Sequence, residues 1–254
     1  MKLTVYKTTE TWYNERIYKG MTMNISENTI QILKNYGTIN PNFIARRGNT
    51  ITTISEAKNI LSSCSIEEEF EQDIGIYDLN EFLNVLSLVD QPKLDMEEKW
   101  CTVKDSTGRS KVKYFFTDPD MLTTPTDKMI TNAAANIEFA ISFTLDNDTL
   151  GKIKRAAGAL GHSSMKIEFI ANAITLTVFD SENPTSNTFT IEVPGHGHDH
   201  DLITDHAESG GTWVLNINNL KIVPGDYEVK VSNKNISNFI HKEKPIQYWI
   251  ALEK

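Results

Sequence analysis

Three cations stand within four residues at Lys152, Lys154 and Arg155, inside the run DNDTLGKIKRAAGAL at 146–160. The chain as a whole is acidic, with a formal net charge of −9 and a pI near 5.2, so this run inverts the local sign. Asp146 is a good helix N-cap, and Leu150, Ile153, Ala157 and Leu160 recur at helical spacing, which predicts a helix over 147–160 with one apolar side. Lys152 and Arg155 fall on the opposite side, with Lys154 at its margin. A face of this kind suits the phosphates of a polyanion. It equally suits plain solvation, since basic faces on amphipathic helices are common. The residues alone leave both readings open. Gly151 and Gly158 each cost a helix about 1 kcal/mol relative to Ala, so propensity does not account for the run.

A second chemical candidate is PGHGHDHDLITDH at 194–206, which brings together His196, His198, Asp199, His200 and His206. Imidazole and carboxylate together bind zinc or nickel. The tract reads as a Gly-interrupted loop between two strands, however, and alternating residues on a loop fix no tetrahedral geometry. No metal ligand is therefore assigned. There is no G-x-x-x-x-G-K-[ST] run, no third glycine after Gly195 and Gly197, and no G-x-S-x-G. No catalytic residue, no cofactor and no enzymatic activity is assigned.

Thirty-nine per cent hydrophobic and 23 % charged residues describe a globular chain of one large or two ordinary domains. A charge of −9 argues against a nucleic-acid binder taken over the whole surface. A basic patch inside an acidic exterior escapes that objection. Cys64 and Cys101 make neither a zinc site nor a disulfide framework. No apolar run is long enough for a membrane span, and residues 1–22 lack the apolar centre of a signal peptide.

The elements that must position these residues are mostly strands. Ser26 caps a helix expected over 27–36, with Gly37 as its stop and Lys34 on its outer side. Arg46 and Arg47 sit in a turn, where a solvated tip and a phosphate contact both stay open. The acids Glu67, Glu68, Glu69, Glu71 and Asp73 read as a solvated outer loop. In IYDLNEFLNVLSLVD at 76–90, Asp78 caps a helix with an apolar face of Leu79, Phe82, Leu83, Leu86 and Val89. Its opposite face, Asn80, Asn84 and Ser87, is polar and uncharged, and can lie near a polyanion without repelling it. Residues 117–135, TDPDMLTTPTDKMITNAAA, show no periodicity and mark a linker near the midpoint. Beyond it the order of helices among strands repeats, ending in a short helical candidate at 218–222 that carries Lys221. Met121, Leu122, Met129 and Ile130 are apolar residues in the linker. Exposed, they suggest a binding surface; packed, they staple the linker down. Both readings stay open.

The stretch 76–90 resembles the "IYDL-N-FL--LSLV" helix of the DNA polymerase processivity clamps of T-even-type tailed bacteriophages. The similarity continues in MNISENTIQILKNYGTINPNFIARRGN at 23–49, in Pro224–Tyr227, and in YWIALE at 248–253. It runs over residues 23–254. The resemblance implies an α+β DNA-clamp fold of two similar domains per chain, sheets outside and helices lining a ring. The implied division is an N-terminal extension at 1–22, a first clamp domain at 23–116, a connector at 117–135 and a second clamp domain at 136–254. It further implies a homotrimer that encircles duplex DNA without reading its sequence and tethers the replicative polymerase. An ATP-dependent clamp loader, a role as a transcription co-activator platform and the cytoplasm of an infected bacterial host belong to the same implication. On it, Lys34, Lys152, Lys154, Arg155 and Lys221 face DNA, while Met121, Leu122, Met129 and Ile130 border the pocket that captures partner peptides. The family carries no metal at the His-rich tract, and here the sequence departs from it by a longer loop. The alternatives are a metal-binding enzyme using 196–206, and a β-rich phage structural or interaction protein.

Overall fold

The computed structural model describes residues 21–134, 137–198 and 210–253. The first half runs β1 (Met21–Asn24), α1 (Glu27–Ile39), β2 (Phe43–Ala45), β3 (Gly48–Ile54), β4 (Ile60–Phe70), β5 (Ile74–Ile76), α2 (Leu79–Leu86), β6 (Lys93–Met96), β7 (Trp100–Lys104) and β8 (Lys111–Phe115). A 3-10 turn at Pro119–Met121 and α3 (Asp127–Ala134) lead to the second half. There follow β9 (Ile141–Leu145), α4 (Asn147–Leu160), β10 (Ser164–Ile170), β11 (Ala173–Phe179), β12 (Phe189–Val193), β13 (Gly195–Gly197) and β14 (Gly210–Asn216). A 3-10 turn at Ile217–Asn219, β15 (Tyr227–Ser232), β16 (Ile236–His241) and β17 (Ile246–Ala251) complete it. The class is α+β, as the resemblance implies.

Each half contributes a four-stranded sheet, β1-β6-β7-β8 and β12-β11-β10-β14. A nine-stranded sheet, β13-β9-β15-β16-β17-β4-β3-β2-β5, joins them. The junction is the antiparallel pair β17–β4, with Trp249 opposite Leu61, so the halves share backbone hydrogen bonds. Strand alternation sends Ile51, Ser62, Cys64 and Tyr248 to the face that carries α1, and Ile54, Leu61 and Trp249 to the other.

At the centre of the first face lies a buried tyrosine network. The Tyr36 hydroxyl donates to the Ile51 carbonyl at 3.3 Å and accepts from Ser62 at 3.1 Å. Tyr248 donates to Asn35 Oδ1 at 2.8 Å and accepts from the Val223 N–H at 3.3 Å, while Tyr227 donates to the Val223 carbonyl at 2.6 Å. Burial pushes all three phenols well above the usual range, so they act as neutral donors. Cys64 and Cys101 are buried free thiols, pushed by burial to about 12.

Five sequence expectations are corrected. Helix α1 does not stop at Gly37 but continues to Ile39, where the Asn40 N–H bonds back to the Tyr36 carbonyl; a Cβ at residue 37 would stand 2.6 Å from Asn80 Oδ1 of α2. Glycine is there for close helix–helix approach. The acidic run is not all loop: β4 extends through Glu67–Glu69, with Glu67 and Glu69 outward and Glu68 buried, and only Glu71 and Asp73 lie in the bend between β4 and β5. Glu68 accepts from the Ser26 N–H at 2.5 Å and the Thr29 hydroxyl at 2.6 Å, completing the α1 cap that Ser26 begins. Desolvation opposes its charge, but these hydrogen bonds outweigh it and hold its pKa below the usual carboxylate value. The linker contains a helix, α3. The first strand begins at Met21, inside the expected extension, and pairs with β6; residues 1–20 lie outside the described ones. The His-rich tract begins as a strand, since 195–197 pairs with β9; Asp199, His200 and His206 lie outside the described residues.

Candidate nucleic-acid interface

On the helix-bearing side, four segments follow one another in contact. Asn80 Nδ2 of α2 donates to the Gly37 carbonyl of α1 at 3.4 Å. Asn35 Nδ2 of α1 donates to the Lys221 carbonyl at 3.1 Å, and Lys221 Nζ returns to the Thr38 carbonyl at 2.8 Å. The segment after Lys221 then reaches α4, where Asp226 accepts from the Asn147 N–H at 2.9 Å and Asn147 Oδ1 accepts from the Gly225 N–H at 3.0 Å. The strip α2, α1, 217–226, α4 is thus tied together by polar side chains and backbone rather than by apolar packing alone.

What the strip offers solvent is polar or basic over much of its length. Asn80, Asn84 and Ser87 are exposed on α2, Lys34 on α1, and Lys152, Lys154 and Arg155 on α4. Helix α4 forms over the expected residues: Asp146 accepts from the Thr149 N–H at 2.7 Å, Gly161 closes it in the left-handed conformation, and Leu150, Ile153 and Ala157 are buried. Its positive face carries an internal counter-charge, because Lys152 Nζ lies 2.7 Å from Asp148. An exposed i,i+4 pair of this kind contributes about 0.3–0.5 kcal/mol, so a phosphate competes with Asp148 at little cost. The Arg155 guanidinium folds back over Gly151, whose missing side chain leaves room 3.1 Å from where a Cβ would stand. Lys154 is exposed by area, yet surrounding atoms desolvate its ammonium and lower its pKa.

Lys221 is not on a helix. The turn of 217–219 ends before it, and what fixes its position is the hydrogen bond to Thr38, which places it beside Lys34's helix. Sequence reasoning missed Lys244. It projects from the β16–β17 connection to Asn28 of α1, 2.5 Å away, and with Lys34 and Asn35 lines a pocket of about 360 Å³. Nothing local in the sequence signals this contact across 216 residues.

The connector residues divide. Met121 is 79 % exposed. Leu122 is half-buried, its Cδ1 beside Gly75. Met129 and Ile130 are packed against Ile54, Leu61 and Trp249 on the far face of the nine-stranded sheet, so these two staple α3 down.

His196 and His198 converge on one buried hydroxyl, with Nε2 atoms 3.2 and 2.8 Å from Ser142 Oγ and rings 4.5 Å apart. Desolvation first, then His196 and Lys230, lower the His198 pKa against the opposing pull of Glu228. Among the described residues no group of three or more His, Cys, Asp or Glu side chains is placed to hold a metal.

The model of the DNA polymerase processivity factor family matches residues 26–122. Over 91 % of the chain, the sequence is 28 % identical to the sliding clamp of Vibrio phage KVP40, spanning 99 % of that protein. It is 27 % identical to the sliding clamp of Escherichia phage RB69, over 91 % of this chain and 97 % of that one. These matches, in chain order and over nine-tenths of the sequence, support a phage sliding clamp of the T4 type. The proliferating cell nuclear antigen of Entamoeba histolytica superposes with a TM-score of 0.62 at 14 % identity, over 89 % of this chain and 94 % of that one. That likeness shows the clamp fold with its two similar halves. Together the sequence relatives and the fold support a DNA polymerase sliding clamp.

Proposed function

We propose that three copies of this sliding clamp close into a ring around duplex DNA, with the strip α2, α1, 217–226, α4 turned inward. The observation that carries this reading is the strip itself: a continuous polar surface, locally basic on a chain of charge −9, whose segments are tied to one another by hydrogen bonds. Lys34, Lys152, Lys154, Arg155 and Lys221 would meet phosphates, many through water. Such contacts carry no base information and permit sliding. The acidic remainder disfavours duplex on the outside. Retention is topological, so the lining need only centre the DNA.

Ring closure has candidate edges. Strands β8 and β12 each end a four-stranded sheet, and head-to-tail pairing of one with the next copy's other would remove both open edges. On β8, Lys113 Nζ lies 3.8 Å from the centre of the Trp100 ring, while β12 presents Glu192. Loading of a closed ring calls for an ATP-dependent loader, and action on phage DNA places the protein in the cytoplasm of the infected host; no helix of the described residues is long and apolar enough to cross a membrane. The connector, with Met121 exposed, is the reading's docking region for polymerase tails.

Sedimentation equilibrium across a concentration series tests the assembly. A mass near 86 kDa, three times 28.7 kDa, is expected. A 28.7 kDa species at every concentration overturns a ring that closes by itself.

A further inference from the structure

Trp249, Leu61 and Ile54 stand opposite one another on β17, β4 and β3. They are only 3, 8 and 3 % exposed, yet form a cluster separate from the main core. What buries them is α3, through Met129, Ile130 and Ala133, with Ile137 and Ile236 at the rim. Its hold is thin. Among the described residues no hydrogen bond or ion pair joins α3 to the sheet, and the backbone bonds at its start go to Thr126. Polar ties of the connector to the first half lie before the helix: the Thr117 N–H donates to the Gly75 carbonyl at 2.8 Å, and Asn40 Nδ2 to the Thr123 carbonyl at 3.2 Å. An eight-residue helix is not stable alone in water, so α3 stays helical only while it stays seated.

Beside the seat, a groove of about 760 Å³ is lined by Arg46, Arg47, Thr50 and Thr52 and by Ile130 and Thr131 of α3. Its positive groups are also met from within. Asp73 lies 2.7 Å from the Arg46 guanidinium and accepts from the Arg47 N–H at 2.9 Å. The apolar seat is thus covered by the chain's own α3, while in the open groove beside it the Arg46 guanidinium already has a carboxylate partner in Asp73.

We propose that α3 is a self-supplied occupant of the cleft that receives partner tails. The cleft is closed in the free chain and opens when an amphipathic partner segment displaces α3. The partner's chemistry is read from what α3 places there: two bulky apolar side chains followed by a small one, at the i, i+1, i+4 spacing of Met129, Ile130 and Ala133. Carboxylates flanking that segment meet Arg46 and Arg47 in exchange for Asp73. The inference rests on the clamp reading in taking the partner to be a tail of the polymerase or of another replication factor. Self-occupation lowers the partner's apparent affinity by the fraction of chains that are open, which keeps weakly matched segments off.

The sign of one effect tests this. A fluorescein-labelled peptide of the chain's own residues 124–134, TPTDKMITNAA, is titrated by anisotropy with the full chain and with its Met129→Ser/Ile130→Ser variant. Self-occupation predicts tighter binding to the variant, by about tenfold or more, and loss of that binding when Trp249→Ala is added. Equal binding overturns the proposal. Weaker binding to the variant also overturns it, and makes α3 part of the receptor. Solution mass is measured alongside for each variant. A failed ring appears in the mass, whereas a failed strap appears only in the peptide titration.

Discussion

The two faces of the nine-stranded sheet carry one helix each from the first half and the connector, and they hold them by different means. Helix α1 is fixed by buried hydrogen bonds of defined direction: Glu68 at its N-terminus, Tyr36 at Ile51 and Ser62, Asn35 at Tyr248. Helix α3 is fixed by three apolar side chains on an apolar seat. Directional, desolvated bonds cannot be exchanged for a foreign group without leaving a partner unsatisfied. Apolar contact is non-directional, so any segment of similar bulk can substitute. On the proposed reading, the face that lines the ring has the first kind of attachment, and the face that receives partner segments has the second.

The contrast can be broken most severely at Tyr248. Tyr248→Ala removes a fully buried ring and two hydrogen bonds, and should lower unfolding free energy by about 3–5 kcal/mol in urea titration; a loss under about 1 kcal/mol would mean the network is not what anchors α1. Glu68→Gln should cost about 1.5–3 kcal/mol near neutral pH, the range for hydrogen bonds to a charged group. The folded-state pKa of Glu68 is lowered, so its contribution is present above the ordinary carboxylate range and fades as pH falls through the folded value. The gap between wild type and variant should therefore close in acid, and a gap independent of pH would refute the assignment. Met129→Ser/Ile130→Ser should cost about 1–2 kcal/mol, since both side chains are only partly buried. Hydrogen exchange should quicken at 127–134 and stay unchanged in α1. Lys152→Ala/Arg155→Ala should leave stability within about 0.5 kcal/mol and the assembly mass unaltered. It should reduce the salt dependence of DNA binding by about one to two in log–log slope and weaken loader-dependent processive synthesis; unaltered processivity at physiological salt would remove these residues from the lining.

Legibility in the sequence followed the range of the interactions. Helix α4 was readable because its cap, Asp146, and its apolar period are local to it. The end of α1 was not, since Gly37 answers to Asn80, 43 positions away. The alternation of β4 was hidden by Glu68, an inward carboxylate in a run of outward ones. Helix α3 escaped because its apolar face is small and its segment is rich in Thr and Asp. The strand at 195–197 escaped because glycines mask its period. Among the cations of the helix-bearing side, Lys152, Lys154 and Arg155 announced themselves by clustering, whereas Lys221 and Lys244 reach α1 through folds of the chain that no local pattern encodes.

The pairing of β17 with β4 has a mechanical consequence. Because backbone hydrogen bonds cross the boundary between the halves without a break, the subunit bends as one beam, with no soft joint at its middle. A load applied anywhere along the lining is carried to the two ends of the beam. In a closed assembly the compliance therefore collects where one subunit meets the next, and that is where a molecule that opens the assembly gains most by pulling.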